Sequence, residues 1–485
     1  MISTVDHSRT PLLDAVYQQG LAKHHRYYMP GHKGGKASPG KFLQAIGHLA
    51  TRLDLPELPN LDQLFAPEGV IQEAQNLAAD AMGAEQSFFL VNGSSCGLMA
   101  ALMSVCATNE MVIVPRNCHQ SIVHGLILSG ARPIWIQPPI DHNSGLATCI
   151  TPEQLQQALI QYPETKAVIA VSPTYEGICG EVGKLAAIAH QHDIPLIVDE
   201  AHGAHFTFHN HLPQTAIEQG ADVVVQSWHK VLGAMSQASV LNMQGDRINP
   251  RKIKQALTIL QSSSPNYLLL ASLDATRSQM MNQGKEMIDH SLAIAAQLRE
   301  KLSTLSSIKV LNPHLHQEID PLRLTLLLHQ SPLSGYELDE RLSEEFGIIA
   351  ELPKNQSLTF VLGQGNSKNE TDTLFAALKT IDQQYPKLKS MSKIEELSQT
   401  HAAAILSRIS PREAFYSDSK QTLRDSAIGH ISKNVVCPYP PGIPLLFPGE
   451  VITEKAIQEL EKLEKQGCQI IGSEGNLLET LALPR

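Results

Sequence analysis

Short apolar runs alternate with stretches of helical period along the chain from about residue 70 to 245. The runs SFFLV (87–91), MVIVP (111–115), RPIWI (132–136), KAVIAV (166–171), PLIVD (195–199) and DVVVQ (222–226) are rich in β-branched or aromatic residues and read as strands. Between most of them lie CGLMAALMSVCA, HQSIVHGLILSG, TPEQLQQALIQY and GEVGKLAAIAHQHD, where apolar positions recur at helical spacing. That rhythm predicts an α/β fold, a mostly parallel sheet covered by helices on both faces. In such sheets ligands bind beyond the carboxyl ends of the strands. Residues just past each run therefore carry the interest.

Before this region, a helical pattern (PLLDAVYQQGLAKH) leads into MPGHKGGKASPGK, where Gly and Pro forbid regular structure. After it, GKEMIDHSLAIAAQLREKL predicts one long connecting helix. A smaller α+β unit follows, with IKVLN, RLTLLLH and SLTFVLGQG as strands and SGYELDERLSEEFG as a helix. The last part opens on helical SKIEELSQTHAAAILSR, holds the proline-rich VVCPYPPGIPLLFPGE, and ends in helical ITEKAIQELEKLEKQG. These changes of pattern divide the chain into an N-terminal segment (1–69), a large domain (70–300), a small α+β domain (301–390) and a C-terminal domain (391–485).

Composition narrows the classes. With 42% hydrophobic and 18% charged residues, the 485-residue chain has the material for a large core. Its net charge of −10, from 38 basic against 48 acidic residues, argues against nucleic-acid and anionic-membrane partners. The seven cysteines are scattered and form no C-x-x-C pair, so neither a disulfide framework nor a metal site is expected. No signal-peptide pattern opens the chain and no apolar run approaches the ~18 residues of a membrane span. A cytoplasmic protein is expected.

Three groups fall just past predicted strands. NGSSCG (92–97) follows SFFLV and opens a helix; Ser94, Ser95 and the free N–H groups of a helix start suit a phosphate, although a serine there also serves as an N-cap. Asp199 ends the apolar run PLIVD, where a carboxylate needs a cationic or hydrogen-bonding partner. Lys230 follows DVVVQ, flanked by Ser227 and His229. A phosphate turn, a buried carboxylate and a strand-end lysine, in that order on a parallel sheet, suit pyridoxal 5'-phosphate. Lys230 then forms the Schiff base, Asp199 keeps the pyridine nitrogen protonated, and Ser94, Ser95, Ser227 and His229 hold the phosphate. His119, after MVIVP, is a candidate to stack on the ring and exchange a proton with the reacting carbon, or else a cap of the helix that follows.

The chain resembles the Orn/Lys/Arg decarboxylases, pyridoxal-phosphate enzymes of fold type I, the aspartate-aminotransferase-like fold. The fragments that carry the resemblance are MPGHKGG (29–35), NGSSCG (92–97), PRNCHQS (115–121), SPTYEG (172–177), VDEAHGAH (198–205), SWHKVLGAMSQAS (227–239), SPREAF (410–415) and PYPPGIPLLFPGE (438–450). The resemblance implies the same roles for Ser94, Ser95, His119, Asp199, Ser227, His229 and Lys230, and places Ala201 under the ring. Trp228 departs from the smaller threonine often found between the serine and histidine. The resemblance is to the short members without an amino-terminal wing, so assembly into large rings through that wing is not expected.

The expected reaction is α-decarboxylation of arginine, lysine or ornithine, with a lean toward arginine, giving CO2 and a polyamine or its precursor. Lys230 or His119 would return a proton to the carbanion. Glu351 in IIAELP is a candidate acidic partner for the substrate's cationic end, and Arg412 in SPREAF either meets substrate or braces the C-terminal unit. Fold type I sites are usually completed across an interface, so at least a homodimer is expected, with SSSPNY (262–267) reaching the partner's phosphate and the N-terminal segment contributing to dimer and site. Two alternatives share the anchoring residues: an aminotransferase or aldolase-like lyase, and a non-catalytic regulator that binds the cofactor.

Overall fold

The computed structural model describes residues 5–312, 318–388, 405–407, 409–439, 444–465 and 468–482. All six apolar runs are strands, within a residue or two of the expected bounds: β1 (Gln86–Leu90), β2 (Met111–Pro115), β3 (Arg132–Ile136), β4 (Thr165–Val171), β5 (Leu196–Asp199) and β6 (Val223–Gln226). The helices Gly93–Val105, Gln120–Ser129, Pro152–Gln161 and Val182–Gln191 fall between them. A seventh strand, β7 (Ser239–Met243), was not foreseen. It runs antiparallel between β1 and β6, with Phe88 opposite Leu241 and Val225 opposite the same residue. Its five residues are all buried, yet Ser239 and Asn242 interrupt the apolar signal that marks the others.

The chain divides into two compact units, Met1–Ser104 with Val198–Met287 and Val105–Ile197 with Ile288–Arg485. In the first, the strand order is β1-β7-β6-β5. Val223, Val224 and Val225 are fully buried there, as expected of a strand covered on both faces. In the second unit β2 lies between β4 and β3, parallel to both. The large sheet is mostly parallel and the protein mixed α/β.

The expected connecting helix is longer than its pattern suggested, running Tyr267–Leu302. The Asn266 side chain accepts from the Leu268 N–H at 2.9 Å and so starts the helix inside the stretch read as loop. The smaller unit has the strands β8 (Lys309–Val310), β9 (Arg323–Leu327), β10 (Leu352–Lys354) and β11 (Ser357–Val361) in the order β10-β11-β9-β8. Helices Gly335–Phe346 and Lys368–Gln384 pack Leu338, Leu342, Leu374 and Leu378 against Leu324 and Leu358 of that sheet. Most of the helix expected over SKIEELSQTHAAAILSR lies outside the described residues. Its end is instead a short strand, β12 (Ile405–Leu406), antiparallel to β3. The free edge of β3 supplies backbone partners there, and tertiary context overrides local propensity. The C-terminal helix is Glu454–Lys465, as its pattern suggested.

Candidate active site

Seven of the expected site positions, Ser94, Ser95, Asp199, Ala201, Ser227, His229 and Lys230, belong to the first unit, at strand and helix ends. Helix Gly93–Val105 begins immediately beyond β1, and Gly93 has φ of 76°, a left-handed conformation glycine adopts without strain. The helix packs close to the sheet at Gly97, where a Cβ would stand 2.6 Å from Leu90 Cδ1 and 2.8 Å from Val225 Cγ1. Its first turn carries Ser94 and Ser95 and points unpaired backbone N–H groups beyond the sheet. Ser227 Oγ lies 2.8 Å from Ser94 Oγ, so two hydroxyls from distant sequence converge at the helix start. The arrangement offers several donors and a favourable dipole to an anion.

His229 adds a constrained donor. Its Nδ1 lies 3.0 Å from the Ala238 carbonyl oxygen. A carbonyl only accepts, so Nδ1 carries the hydrogen and Nε2 is bare unless the ring is protonated. Burial holds the ring below the usual histidine range, and the Lys230 charge adds to that, against the Ala238 carbonyl. His229 thus donates to a phosphate at Nε2 only by taking up a proton, which the anion's own charge favours.

Asp199 ends β5 and is 6% exposed. The Ala201 N–H donates to its Oδ1 at 3.1 Å and fixes the carboxylate's orientation. Lys230 sits in the short helix Trp228–Val231 with its side chain exposed. It has a neighbour that sequence reasoning missed: Lys230 Nζ is 3.0 Å from His202 Nε2. An ammonium only donates, so beside a charged Lys230 the imidazole accepts at Nε2 and holds its own hydrogen on Nδ1. A second positive charge at that distance is strongly disfavoured. His202 lies three residues after Asp199 in VDEAHGAH, a signal present in the sequence but not used.

The other candidates belong to the second unit. His119 is the N-cap of helix Gln120–Ser129, its Nδ1 accepting from the Ser121 N–H at 3.2 Å. In neutral form its hydrogen is therefore on Nε2. Glu351 is exposed and accepts from the Tyr175 hydroxyl. Arg412 spends its guanidinium on the end of helix Gln120–Ser129: Nε donates to the Ile127 carbonyl at 2.7 Å, and the other nitrogens reach Leu128 O and Thr108 Oγ1. These contacts brace the helix. Next to Tyr175, burial pushes the Glu176 carboxyl up, but the charge and hydrogen bond of Lys354, together with hydrogen bonds from its own backbone and Thr174, hold it below the usual carboxylate range.

The donor set of the first unit fits pyridoxal phosphate: hydroxyls and a helix start for the phosphate, a buried carboxylate for a ring N–H, an amine for an aldehyde. Comparisons agree. Residues 10–323 match the Orn/Lys/Arg decarboxylase major domain and residues 397–472 its C-terminal domain. The chain belongs to the Orn/Lys/Arg decarboxylase family. It is 35% identical over 482 residues to an arginine decarboxylase of Bacillus subtilis (strain 168), covering 97% of each chain. An inducible lysine decarboxylase of Escherichia coli (strain K12) is 24% identical, covering 95% of this chain and 77% of that one. Among solved structures, the lysine decarboxylase of Francisella novicida superposes with a TM-score of 0.84 over 97% of this chain and 81% of that one, at 20% identity. A serine palmitoyltransferase of Sphingomonas wittichii shares the fold more distantly, with a TM-score of 0.53 over 65% of this chain. This family member is a carboxy-lyase that depends on pyridoxal phosphate and acts on a basic amino acid. Among the described residues, no helix is long and apolar enough to cross a membrane and no cluster of His, Cys, Asp or Glu suits a metal ion.

Proposed function

We propose that this decarboxylase takes arginine and releases agmatine and CO2. The supporting observation is the 35% identity, over 97% of both chains, to an arginine decarboxylase. The test is a panel of arginine, lysine and ornithine at neutral pH, scored for agmatine, cadaverine and putrescine. Agmatine as the main product supports the reading; cadaverine or putrescine in excess overturns it. Accumulation of pyridoxamine phosphate in place of CO2 would point to an aminotransferase.

When bound, pyridoxal phosphate supplies a conjugated ring that accepts the electrons left when the carboxylate departs. In our reading Lys230 is its covalent anchor and Asp199 accepts the hydrogen bond of the ring nitrogen, holding positive charge there. Ser94, Ser95, Ser227 and protonated His229 bind the phosphate, and Ala201 presents a small face beneath the ring. His202 accepts the Lys230 ammonium proton, freeing the amine's lone pair. By resemblance to the family, His119 would stack on the ring and, with Lys230, would be a source of the proton delivered to the substrate's α-carbon. Glu351, oriented by Tyr175, is the proposed acid for the substrate's cationic end.

The same reading makes the enzyme a cytoplasmic homodimer. Support comes from the N-terminal segment: Tyr27, Met29, Phe42, Ile46 and Leu49 are exposed apolar side chains, and helix Gly40–Ile46 buries none of its residues. The loop 262–267 is proposed to reach the partner's phosphate. Mixing inactive Lys230→Ala and Ser263→Ala chains tests this: recovered activity supports sharing, and none contradicts it.

A further inference from the structure

Beside the cofactor-facing groups, the first unit buries a row of hydrogen-bonded polar side chains that crosses its sheet. Glu200, just after β5, is 2% exposed. It accepts from the Ala216 N–H at Oε1 and from Gln226 Nε2 at Oε2, both at 2.7 Å. Gln226 ends β6 and is fully buried. Its Oε1 accepts from Trp228 Nε1 at 3.2 Å and from Asn242 Nδ2 of β7 at 3.1 Å. Asn242 Oδ1 in turn accepts from Ser87 Oγ of β1 at 2.6 Å.

Each link dictates the next. An indole N–H only donates, so Gln226 must turn its oxygen toward Trp228 and its nitrogen toward Glu200, which must then accept. Three members of the row also border the site in sequence. Glu200 follows Asp199, Gln226 precedes Ser227, and Trp228 shares one helical turn with His229 and Lys230. Neighbouring residues of an extended strand project to opposite faces, which leaves the polar row behind the site residues. Apolar packing alone tolerates small slips; a buried network with fixed donors and acceptors does not.

We propose that Glu200, Gln226 and Trp228 form a latch that sets Lys230 relative to Asp199, making Glu200 and Trp228 positioning residues. The inference rests on the reading of Lys230 and Asp199 as cofactor contacts. Threonine at position 228 would lack an N–H to close the latch, so this link is a property of the tryptophan.

The test is a double-mutant cycle read by pyridoxal-phosphate affinity of the apo-enzyme, followed by the cofactor's absorbance. Measured above pH 8, where the Glu200 carboxyl is ionised, Glu200→Gln sets an amide nitrogen against the donor it should accept from, and affinity falls roughly tenfold, as for one buried group left unmatched. The exchange Glu200→Gln with Gln226→Glu restores every donor–acceptor pair, because residue 226 then accepts from all three neighbours. Affinity returns to within about threefold of the wild type, given the usual coupling of residues in one network. Trp228→Phe keeps a ring but removes the N–H, and weakens affinity in the same sense even if Glu200→Gln fails to fold. Unchanged affinity in folded single variants overturns the latch. So does an exchanged pair no better than Glu200→Gln, since that loss would be structural alone. Borohydride labelling of wild-type Lys230 separately tests the underlying reading.

Discussion

At the scale of single residues, the positions that sequence made visible are those whose chemistry conflicts with their surroundings. Asp199 ends an apolar strand and Lys230 follows one, and each stands out against its neighbours. His202 and Glu200 carried no such contrast. Their meaning comes from partners across the fold, Lys230 at 3.0 Å and Gln226 at 2.7 Å, which only strand register reveals. Two predictions belong here. Because His229 is held below the usual range and its Nδ1 is committed to Ala238, cofactor binding should draw a proton onto it. Calorimetry in buffers of different ionisation enthalpy should find less proton uptake in His229→Asn than in the wild type; equal uptake contradicts the assignment. Glu200 is pushed up to about 8, by burial first, with hydrogen bonds from Gln226 and Ala216 acting in the opposite sense. The folded chain then keeps a proton that the unfolded chain has already released. Its contribution to stability is complete below the ordinary carboxylate value and is lost as pH rises through about 8. The melting temperature of Glu200→Gln should therefore decline less between pH 5 and 8.5 than that of the wild type. A steeper decline in the variant would refute the raised value.

At the scale of elements, six strands were legible because burial on both faces writes near-continuous apolar runs into the sequence. β7 was not, since Asn242 belongs to a buried polar row, and β12 was not, since its partner β3 alone makes it a strand. The start of helix Gly93–Val105 depends on close packing at Gly97. Gly97→Ala places a methyl against Leu90 and Val225 and should cost about 1–3 kcal/mol, measurable by denaturant unfolding, and also weaken cofactor binding. An unchanged midpoint and affinity would show that the helix has room to withdraw. Arg412→Ala uncaps helix Gln120–Ser129 and should lose about 1–3 kcal/mol while the Michaelis constant for substrate stays near wild type. A large rise in that constant with unaltered stability would restore Arg412 as a substrate contact.

At the scale of the whole molecule, the rhythm of the sequence announced an α/β fold but not the way it divides. The first unit joins residues before 105 to residues after 197, a discontinuity that no local pattern encodes. Assembly is likewise invisible in composition, and the exposed apolar side chains of residues 27–49 carry the argument for a dimer. Light scattering should give twice the 53.0 kDa chain mass, and Phe42→Asp should shift the protein toward monomer with loss of activity. A wild-type monomer at working concentration that retains full activity would contradict the shared site. The account as a whole stands on a covalent bond at one lysine. The most direct measurement is borohydride reduction of the holoenzyme, followed by peptide mass mapping. It predicts pyridoxyl phosphate on the peptide that contains Lys230 and nowhere else; an unmodified Lys230, or label on a different lysine, would contradict it.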